Sequence, residues 1–176
     1  MTNVRNLAWA TLLIGAGING AFAAATNNIH LVGNLVAAAC VVTPSGGNLA
    51  TVVFPPLSAG DLLLAGQSAR QPVTFVLAGC DTSLSNGVRV TFSGNTVSGM
   101  SDILALEGSS TAAGVGIGLE TLSGEPVAVN GASGATFVLT KGSNTLQLNA
   151  WVQMIPGQDI QPGNFSAVAT AEFEYL

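Results

Sequence analysis

Apolar side chains alternate with polar or small ones along most of this chain after residue 24, as in residues 88–93, 115–120 and 146–153. A period of two is typical of β-strands that have one face on a core and the other in water. Shorter stretches of the same pattern predict further strands at residues 51–54, 73–77, 127–129 and 136–140. Clusters of Gly, Pro, Asn and Ser between them indicate turns. The pattern predicts one all-β domain, a sandwich or a barrel, with short helical turns plausible only at residues 57–64 and 98–106.

The composition is unusually apolar for such a domain, with 48% hydrophobic and only 7% charged residues. These values suit a membrane protein, but a helix that crosses a bilayer needs about 20 consecutive apolar residues. No such run follows residue 23, because Gly, Ser, Thr, Asn and Gln interrupt every apolar stretch. The sequence therefore predicts a domain without a membrane span that must cover much of its apolar surface in another way.

Residues 1–23 have the layout of a secretory signal peptide. Arg5 lies in a short polar start, residues 7–18 are apolar, and a small-residue pattern ends at Ala23, where we expect cleavage. A buried N-terminal helix is the alternative. The remaining cationic side chains, against nine acidic ones, are Arg70, Arg89 and Lys141. So few cations cannot form the basic patch that phosphate backbones require, and no nucleic-acid partner is expected.

Cys40 and Cys80 are the only two cysteines. Behind a signal peptide the compartment is oxidising, and an even number of cysteines there favours a disulfide bond. Free buried thiols or a redox pair are the alternatives, but redox cysteines usually lie in a Cys-x-x-Cys motif and these are 40 positions apart. We predict a Cys40–Cys80 disulfide, which would stabilise the fold by about 4 kcal/mol in the chain-entropy model.

The last alternating stretch predicts a long strand with an apolar face. One face carries Phe165, Ala167, Ala169, Ala171, Phe173 and Tyr175. The other face is mostly polar, and no later segment of this sequence could pair with the strand's second edge. A long apolar edge strand is an aggregation hazard that proteins normally cover. The alternative is a central strand that earlier strands flank on both sides, since sequential neighbours do not always pair.

The segment before Cys40 has a complementary character. Residues 24–39 alternate as a strand would, with one face formed by Ile29, Leu31, Gly33, Leu35 and Ala37. The other face is itself half apolar, so the pattern predicts a strand without deciding which face is buried. An apolar strand at one end and an uncovered strand at the other suggest that one completes the other, within one molecule or between copies.

In these features the sequence resembles the immunoglobulin-like pilin subunits of chaperone–usher fimbriae, especially the type 1 group. The resemblance covers essentially the whole chain. It is carried by the signal peptide, residues 33–40, 75–81, 88–94, 102–106 and 114–117, Gly163, and the penultimate Tyr175. Each of these is a weak signal alone, whereas the cysteine spacing, the glycine-to-tyrosine ending and the signal peptide are fairly specific together.

The resemblance implies an all-β, incomplete immunoglobulin-like sandwich that lacks its last strand and is completed by a donor strand from a partner. It implies a signal peptide at residues 1–23, a donor-strand extension at residues 24–39 and a pilin domain at residues 40–176. The donor side chains would be Ile29, Leu31, Leu35 and Ala37, with Gly33 allowing close backbone approach. The residues implied for the acceptor groove and the chaperone contact are Gly163, Phe165, Ala167, Ala169, Ala171, Phe173, Tyr175 and Leu176.

The same resemblance implies the partners and the destination of the protein. A periplasmic chaperone would first lend a strand and hold the carboxylate of Leu176, and an outer-membrane usher would export the growing fibre. The polymer could contain copies of this chain or of other pilins, at the cell surface, and would support adhesion. Cys40 and Cys80 would match the subunit disulfide of the family.

Catalysis, cofactors and metal binding are not expected. The single histidine after residue 23, His30, has no neighbouring acid or cysteine. Residues 66–70 miss the second glycine of a nucleophile elbow. Residues 114–119 lack the third glycine and the following helix of a dinucleotide loop, and fit a strand with glycines on one face. The acids are scattered, so the sequence indicates neither a carboxylate pair nor a calcium loop.

Two alternatives to a shaft subunit stay open. One is a minor adaptor or terminating pilin, which would share this domain. The other, of a different class, is a carbohydrate-binding adhesin module, for which Trp151 and Tyr175 are the only candidate stacking residues after the signal peptide. Trp151 falls on the polar-facing side of its strand, which predicts an exposed ring or, more readily, a ring at a subunit contact.

Overall fold

The computed structural model describes residues 39–44 and 50–176, which belong to one compact unit, Val36–Leu176. The predicted signal peptide and the predicted donor residues, from Ile29 to Ala37, lie outside the described residues. Within the described ranges the elements are β1 (Val41–Pro44), α1 (Ala59–Ala65), β2 (Gln71–Cys80), β3 (Gly87–Gly94), β4 (Thr96–Val97), β5 (Met100–Leu104), β6 (Val115–Thr121), β7 (Ala135–Val138), β8 (Gly142–Met154) and β9 (Ala169–Tyr175).

The strands form two sheets, and the all-β sandwich prediction is confirmed. One sheet has the order β1-β2-β8-β6-β5-β4 and the other the order β7-β3-β9. Every ladder between these strands is antiparallel. Alternate side chains of both sheets meet between them, and the most deeply buried are Leu77, Val88, Val90, Leu146, Leu148 and Val152. The Cys40–Cys80 disulfide is present and ties the start of β1 to the end of β2, as predicted.

The strand directions define two ends of the sandwich. At the disulfide pole lie the Cys40–Cys80 bridge, the connection of residues 81–86 and the end of β9. β3 starts there because this connection is short, so Gly94 and its partner Ala169 lie at the opposite end. β8 runs antiparallel to β2, so it starts at the disulfide pole and ends at the opposite end. Because the chain after α1 pairs with the end of β8, we call this end the helix pole.

Helix α1 is short, yet its ends and its anchor are well defined. The Ser58 Oγ accepts a hydrogen bond from the Asp61 N–H at 3.2 Å, which caps the first turn. Gly66 ends the helix in the left-handed region, with φ of 75°, where a residue without Cβ is favoured. Leu62 is buried in the core. The predicted helical turn at residues 57–64 is therefore confirmed.

The second predicted helical turn, at residues 98–106, is wrong because β4 and β5 form a hairpin there. This hairpin continues the larger sheet beyond β6, and its Val97 and Ile103 pack with Trp151 in a small cluster on the outer face. Glycines on the outer face of β6 make room, because a Cβ at Gly118 would overlap the indole ring of Trp151. Trp151 is only 6% exposed, so the prediction of an exposed or subunit-contacting ring is also wrong.

Two predicted strands are not part of any ladder. Residues 127–129 pass between the sheets: Val127 donates its N–H to Leu119 in one sheet, and Val129 forms a single bridge with Phe92 in the other. A segment that changes sheets cannot extend a ladder in either. Residues 51–54 keep their alternating burial but have no strand partner among the described residues.

Candidate functional site

A row of half-buried apolar side chains runs along the last part of the chain. Its members are Phe165, Ala167, Ala169, Ala171, Phe173 and Tyr175, and all of them contact the core. Val88 and Val90, on the neighbouring β3, face the same core and are 0% exposed. Buried apolar residues in a finished sandwich normally resemble these two valines. The intermediate exposure of the row therefore means that the core is uncovered on this side of β9.

The backbone of β9 also has a free edge. Within the described residues β9 pairs with β3 alone. The Leu176 N–H donates to the Gly87 carbonyl at 2.9 Å, so Leu176 faces β3. Because backbone groups alternate sides along a strand, those of Ala169, Ala171 and Phe173 point away from β3. The strand residues with half-buried side chains are thus also those whose backbone groups have no ladder partner among the described residues.

Residues 50–57 form the opposite wall. Ala50, Val52, Phe54 and Leu57 are partly buried against the core, and alternate exposure shows that residues 50–54 are extended with one face inward. The backbone hydrogen bonds among the described residues include none from residues 50–57. Two extended segments therefore border the same core without bonding to each other. We call the space between residues 50–57 and residues 165–175 the acceptor groove.

The wall of residues 165–175 is held by a contact at each end of the acceptor groove. At the disulfide pole the Tyr175 hydroxyl donates a hydrogen bond to the Cys40 carbonyl at 3.0 Å. Burial raises the pKa of this hydroxyl, and the hydrogen bond to Cys40 partly offsets the effect. At the helix pole the rings of Phe54 and Phe165 lie 5.8 Å apart between centroids. The groove therefore has two defined ends and an apolar floor.

The wall of residues 165–175 carries its smallest side chains in the middle. Ala167, Ala169 and Ala171 occupy the centre of the row on one wall. Phe173 packs edge-on against Phe75 of β2, with ring centroids 5.3 Å apart, and so fills the floor beneath it. Small side chains between large aromatic ones give a partner strand room for larger side chains at the middle of this wall. Such a groove fits a strand with branched apolar side chains and offers nothing to a soluble polar ligand.

The predicted groove residues are brought together, with two exceptions. Gly163 precedes β9 and lies against Thr111 and Ala112 of another loop, where a Cβ would overlap both residues. Its role in the structure is this close approach. The strand itself begins at Ala169, because residues 164–166 hydrogen-bond to residues 107–112 outside both sheets. Leu176 lies at the disulfide pole, beyond the groove row, and its carbonyl accepts a hydrogen bond from Ser85 Oγ at 2.6 Å.

Sequence reasoning missed the second wall and Ser85. Residues 51–54 were predicted to be a strand from their alternation, but local alternation does not reveal which strand lies opposite. Ser85 is 7% exposed and holds both Gly87 and Leu176 through its hydroxyl. A serine in a turn gives no sequence signal for such a contact with a residue 91 positions away.

The two ion pairs among the described residues lie on the outer faces of the sheets. Arg89 and Glu174 form an ion pair of 2.9 Å on the outer face of the smaller sheet, where exposed pairs contribute little. On the outer face of the larger sheet Arg70 binds Glu120 through two hydrogen bonds, of 2.9 and 3.1 Å, and its guanidinium lies over Trp151. These bonds lower the pKa of the Glu120 carboxyl. The first pair joins the neighbouring strands β3 and β9, and the second joins the residue before β2 to β6.

The described residues offer no site for a metal ion or a membrane helix. Across residues 39–44 and 50–176, no group of three or more His, Cys, Asp or Glu side chains is arranged to hold a metal. No helix in this part of the chain is long and apolar enough to cross a bilayer.

Comparison with known proteins points to one family. The family model described as fimbrial protein matches residues 29–176. A fimbrial-like protein of Escherichia coli K12, YfcP, is 47% identical over 153 residues, 87% of this chain and 86% of that protein. The type-1 fimbrial protein C chain of Escherichia coli is 31% identical over 95% of this chain and 94% of its own. The P pilus rod subunit PapA is similar in structure, with a TM-score of 0.67 and 27% identity over 79% of this chain and 100% of its own.

Proposed function

This chain belongs to the fimbrial protein family, and we propose that its acceptor groove receives residues 24–39 of a neighbouring subunit. The chain is a structural pilin with an immunoglobulin-like fold that lacks its last strand. Polymerisation by donor-strand exchange is consistent with this family. We assign the acceptor surface to residues 50–57 and 165–175 and the donor surface to residues 24–39.

The observation that carries the proposal is the coincidence of half-buried side chains and unpaired backbone on β9. A donor strand can satisfy both at once, because its side chains fill the groove while its N–H and C=O groups extend the ladder. About four buried apolar side chains, at roughly 1.5–3 kcal/mol each, together with the ladder, would make a very stable junction.

The donor residues fit the groove in chemistry and in size. Leu31 and Leu35 are large enough to fill the volume that Ala167, Ala169 and Ala171 leave. Gly33 lies between them on the same face, and a bare backbone there allows the donor to approach the wall closely. The donor segment and the groove row each continue for several alternating positions, so one strand covers the exposed core.

We infer that the finished subunit reaches the cell surface by the route common to its family. Residues 1–23 direct secretion and are removed behind Ala23, which leaves residues 24–39 as the donor extension and residues 40–176 as the pilin domain. A periplasmic chaperone covers the acceptor groove and holds the end of β9 until an outer-membrane usher presents the next subunit. Similarity to a rod subunit favours a place in the shaft of the fimbria.

The carbohydrate-binding alternative has lost its support. Trp151 lies under Arg70 and the β4–β5 hairpin, and Tyr175 lies in the groove, bonded to Cys40. Neither ring is free to stack on a sugar. A shaft subunit and an adaptor differ in which pilin subunits they join, so an assembly experiment is needed to distinguish them.

A peptide with the sequence of residues 24–39 tests the proposal. Added to the isolated subunit, it should raise the melting temperature, because a ligand at 100 times its Kd stabilises the folded state by about 2.7 kcal/mol. The matched control is the same peptide with Leu31→Ser and Leu35→Ser, which keeps the backbone but removes the large side chains. An equal shift with both peptides, or no shift with either, would show that the groove does not bind this segment.

A further inference from the structure

The exposed apolar side chains of the described residues gather at the two poles. The large ones are Val41, Val53, Leu63, Leu64, Leu84, Leu122, Val138, Val168 and Leu176. Leu63 and Leu64 are on α1, Val53 precedes the groove residue Phe54, and Val168 precedes β9, so these four lie at the helix pole. Only Leu122, which follows the pairing of Thr121 with the middle of β8, lies between the poles.

The other four lie at the disulfide pole. Val41 pairs with Ala78 close to the bridge, and Val138 pairs with Gly87 at the start of β3. Leu84 is in the connection of residues 81–86, and Leu176 follows β9. Val138 is 84% exposed, and Leu64 at the other pole is 90% exposed. Each pole thus presents a patch of large apolar side chains to solvent.

From these positions we propose that the disulfide pole of one copy packs on the helix pole of the next copy along the fibre. This inference rests on the proposed function, since it takes the donor strand as the tether between the copies. It adds a contact between the bodies of the two subunits, separate from the groove.

The geometry of the tether brings the two poles together. Every ladder in the described sandwich is antiparallel, and a donor that continues this pattern runs antiparallel to β9. Its C-terminal end then leaves the groove at the helix pole, beside Phe54 and Phe165. The donor row ends at Ala37, and the body of the donor copy begins at Ala39, whose carbonyl accepts from Asp81 at the disulfide pole. Two residues span at most about 7 Å.

The helix pole is built to present its apolar side chains in one position. Leu62 anchors α1 in the core, while Leu63 and Leu64 point outward on the same capped helix. Gly66 and Ser68 then bind the backbone of β8 at Met154 and Val152, with distances of 2.9 Å. Because the helix backbone is already fixed, a partner that covers these side chains restricts their rotamers but does not have to order a loop.

The size of the two patches indicates a contact that works only between tethered copies. A stable interface that stands alone buries about 1,200–2,000 Å² in total, which four exposed side chains on each partner do not approach. A short tether raises the effective concentration of the second contact into the millimolar range. The poles would therefore associate in the polymer and not between free subunits.

Three substitutions at exposed positions test the inference. Leu64→Asp alters the helix pole, Val138→Asp alters the disulfide pole, and Leu122→Asp is the matched control between them. All three should leave the melting shift caused by the peptide of residues 24–39 unchanged, because none lies in the groove. Polymers of the first two should dissociate at a lower temperature in denaturant than the wild type, whereas Leu122→Asp polymers should match it.

The outcomes separate the inference from the proposed function. If Leu64→Asp and Val138→Asp polymers are as heat-resistant as Leu122→Asp polymers, the poles do not touch and the inference is wrong. If the peptide shifts none of the proteins, including the wild type, the groove assignment itself fails. If free subunits associate through the poles without a donor strand, as sedimentation would show, then the contact does not depend on the tether as proposed.

Discussion

At the scale of single residues, the outer face of the larger sheet is tightly packed around the ring of Trp151. A Cβ at Gly118 would overlap the ring of Trp151, and the Arg70 guanidinium lies over this ring, 4.7 Å from its centroid. Glu120 is 8% exposed and holds the guanidinium in place. A nearly buried carboxylate is tolerated there because its partner neutralises it and donates two hydrogen bonds.

The Arg70–Glu120 pair predicts a dependence of stability on pH. The bonds from Arg70 lower the pKa of Glu120 in the folded state, so the ionised form stabilises the fold above the unfolded pKa of about 4.3. That contribution should be lost as the pH falls through the folded pKa. Glu120→Gln should therefore lower the melting temperature at pH 7, and the difference from the wild type should shrink towards pH 3.

The matched control for this experiment is Glu125→Gln, because Glu125 is exposed and forms no ion pair among the described residues. Its melting temperature should follow that of the wild type across the same pH series. A difference between Glu120→Gln and the wild type that stays constant from pH 7 to pH 3 would contradict a role for the ionised carboxylate.

At the scale of the element, β9 has one apolar, half-buried face and one polar, exposed face. Its inward face contributes half-buried apolar side chains to the groove, and its outward face carries Thr170, Glu172 and Glu174. Polar side chains on one face and apolar ones on the other fix the register of the strand on β3. The unpaired edge remains, and charge on the outward face does not protect it.

Substitutions on the two faces of β9 test whether only the inward face binds a partner strand, and Phe173→Asp alters that inward face. The substitution places a carboxylate beside the ring of Phe75 in the uncovered core, where burying the charge under a donor strand is costly. We expect the melting shift from the peptide of residues 24–39, and binding to the chaperone, to be lost. Thr170→Asp, on the opposite face of the same strand, should leave both intact. Unchanged binding by Phe173→Asp would remove β9 from the interface.

At the scale of the whole molecule, the high apolar content is explained by where the apolar residues lie. Part of the apolar content precedes residue 24, and part lines a groove that the described chain leaves open. Further apolar side chains lie at the two poles. A free globular domain with these exposed surfaces would be prone to association, whereas a repeat unit of a polymer covers them with its neighbours.

Removal of residues 24–39 tests the molecule as a repeat unit. A subunit without them should still bind the chaperone, since its own groove is unchanged, but it should not enter a neighbour's groove. We expect no incorporation beyond one end of a fibre, measured by labelled subunits in an assembly reaction. The wild-type chain with the same label is the control. Normal incorporation of the shortened chain would show that another segment is the donor.

The sequence alone determined the local features of this protein. Alternation predicted β2, β3, β6, β7, β8 and the half-buried row of β9, because burial on one face of a strand imposes a period of two. The cysteine count in an oxidising context predicted the disulfide, and Ser58 and Gly66 mark the ends of α1. Each of these depends on neighbours in sequence or on chemistry that the residue type carries with it.

The tertiary structure alone decided which segments meet. Residues 51–54 and 127–129 alternate as strands do, yet neither segment joins a ladder among the described residues. Residues 51–54 form a groove wall, and residues 127–129 cross between the sheets. Trp151 occupies a position that alternation marks as outward, and a hairpin from elsewhere in the chain covers it. The residues next to a position in sequence do not determine what packs over it, because that depends on how distant segments fold.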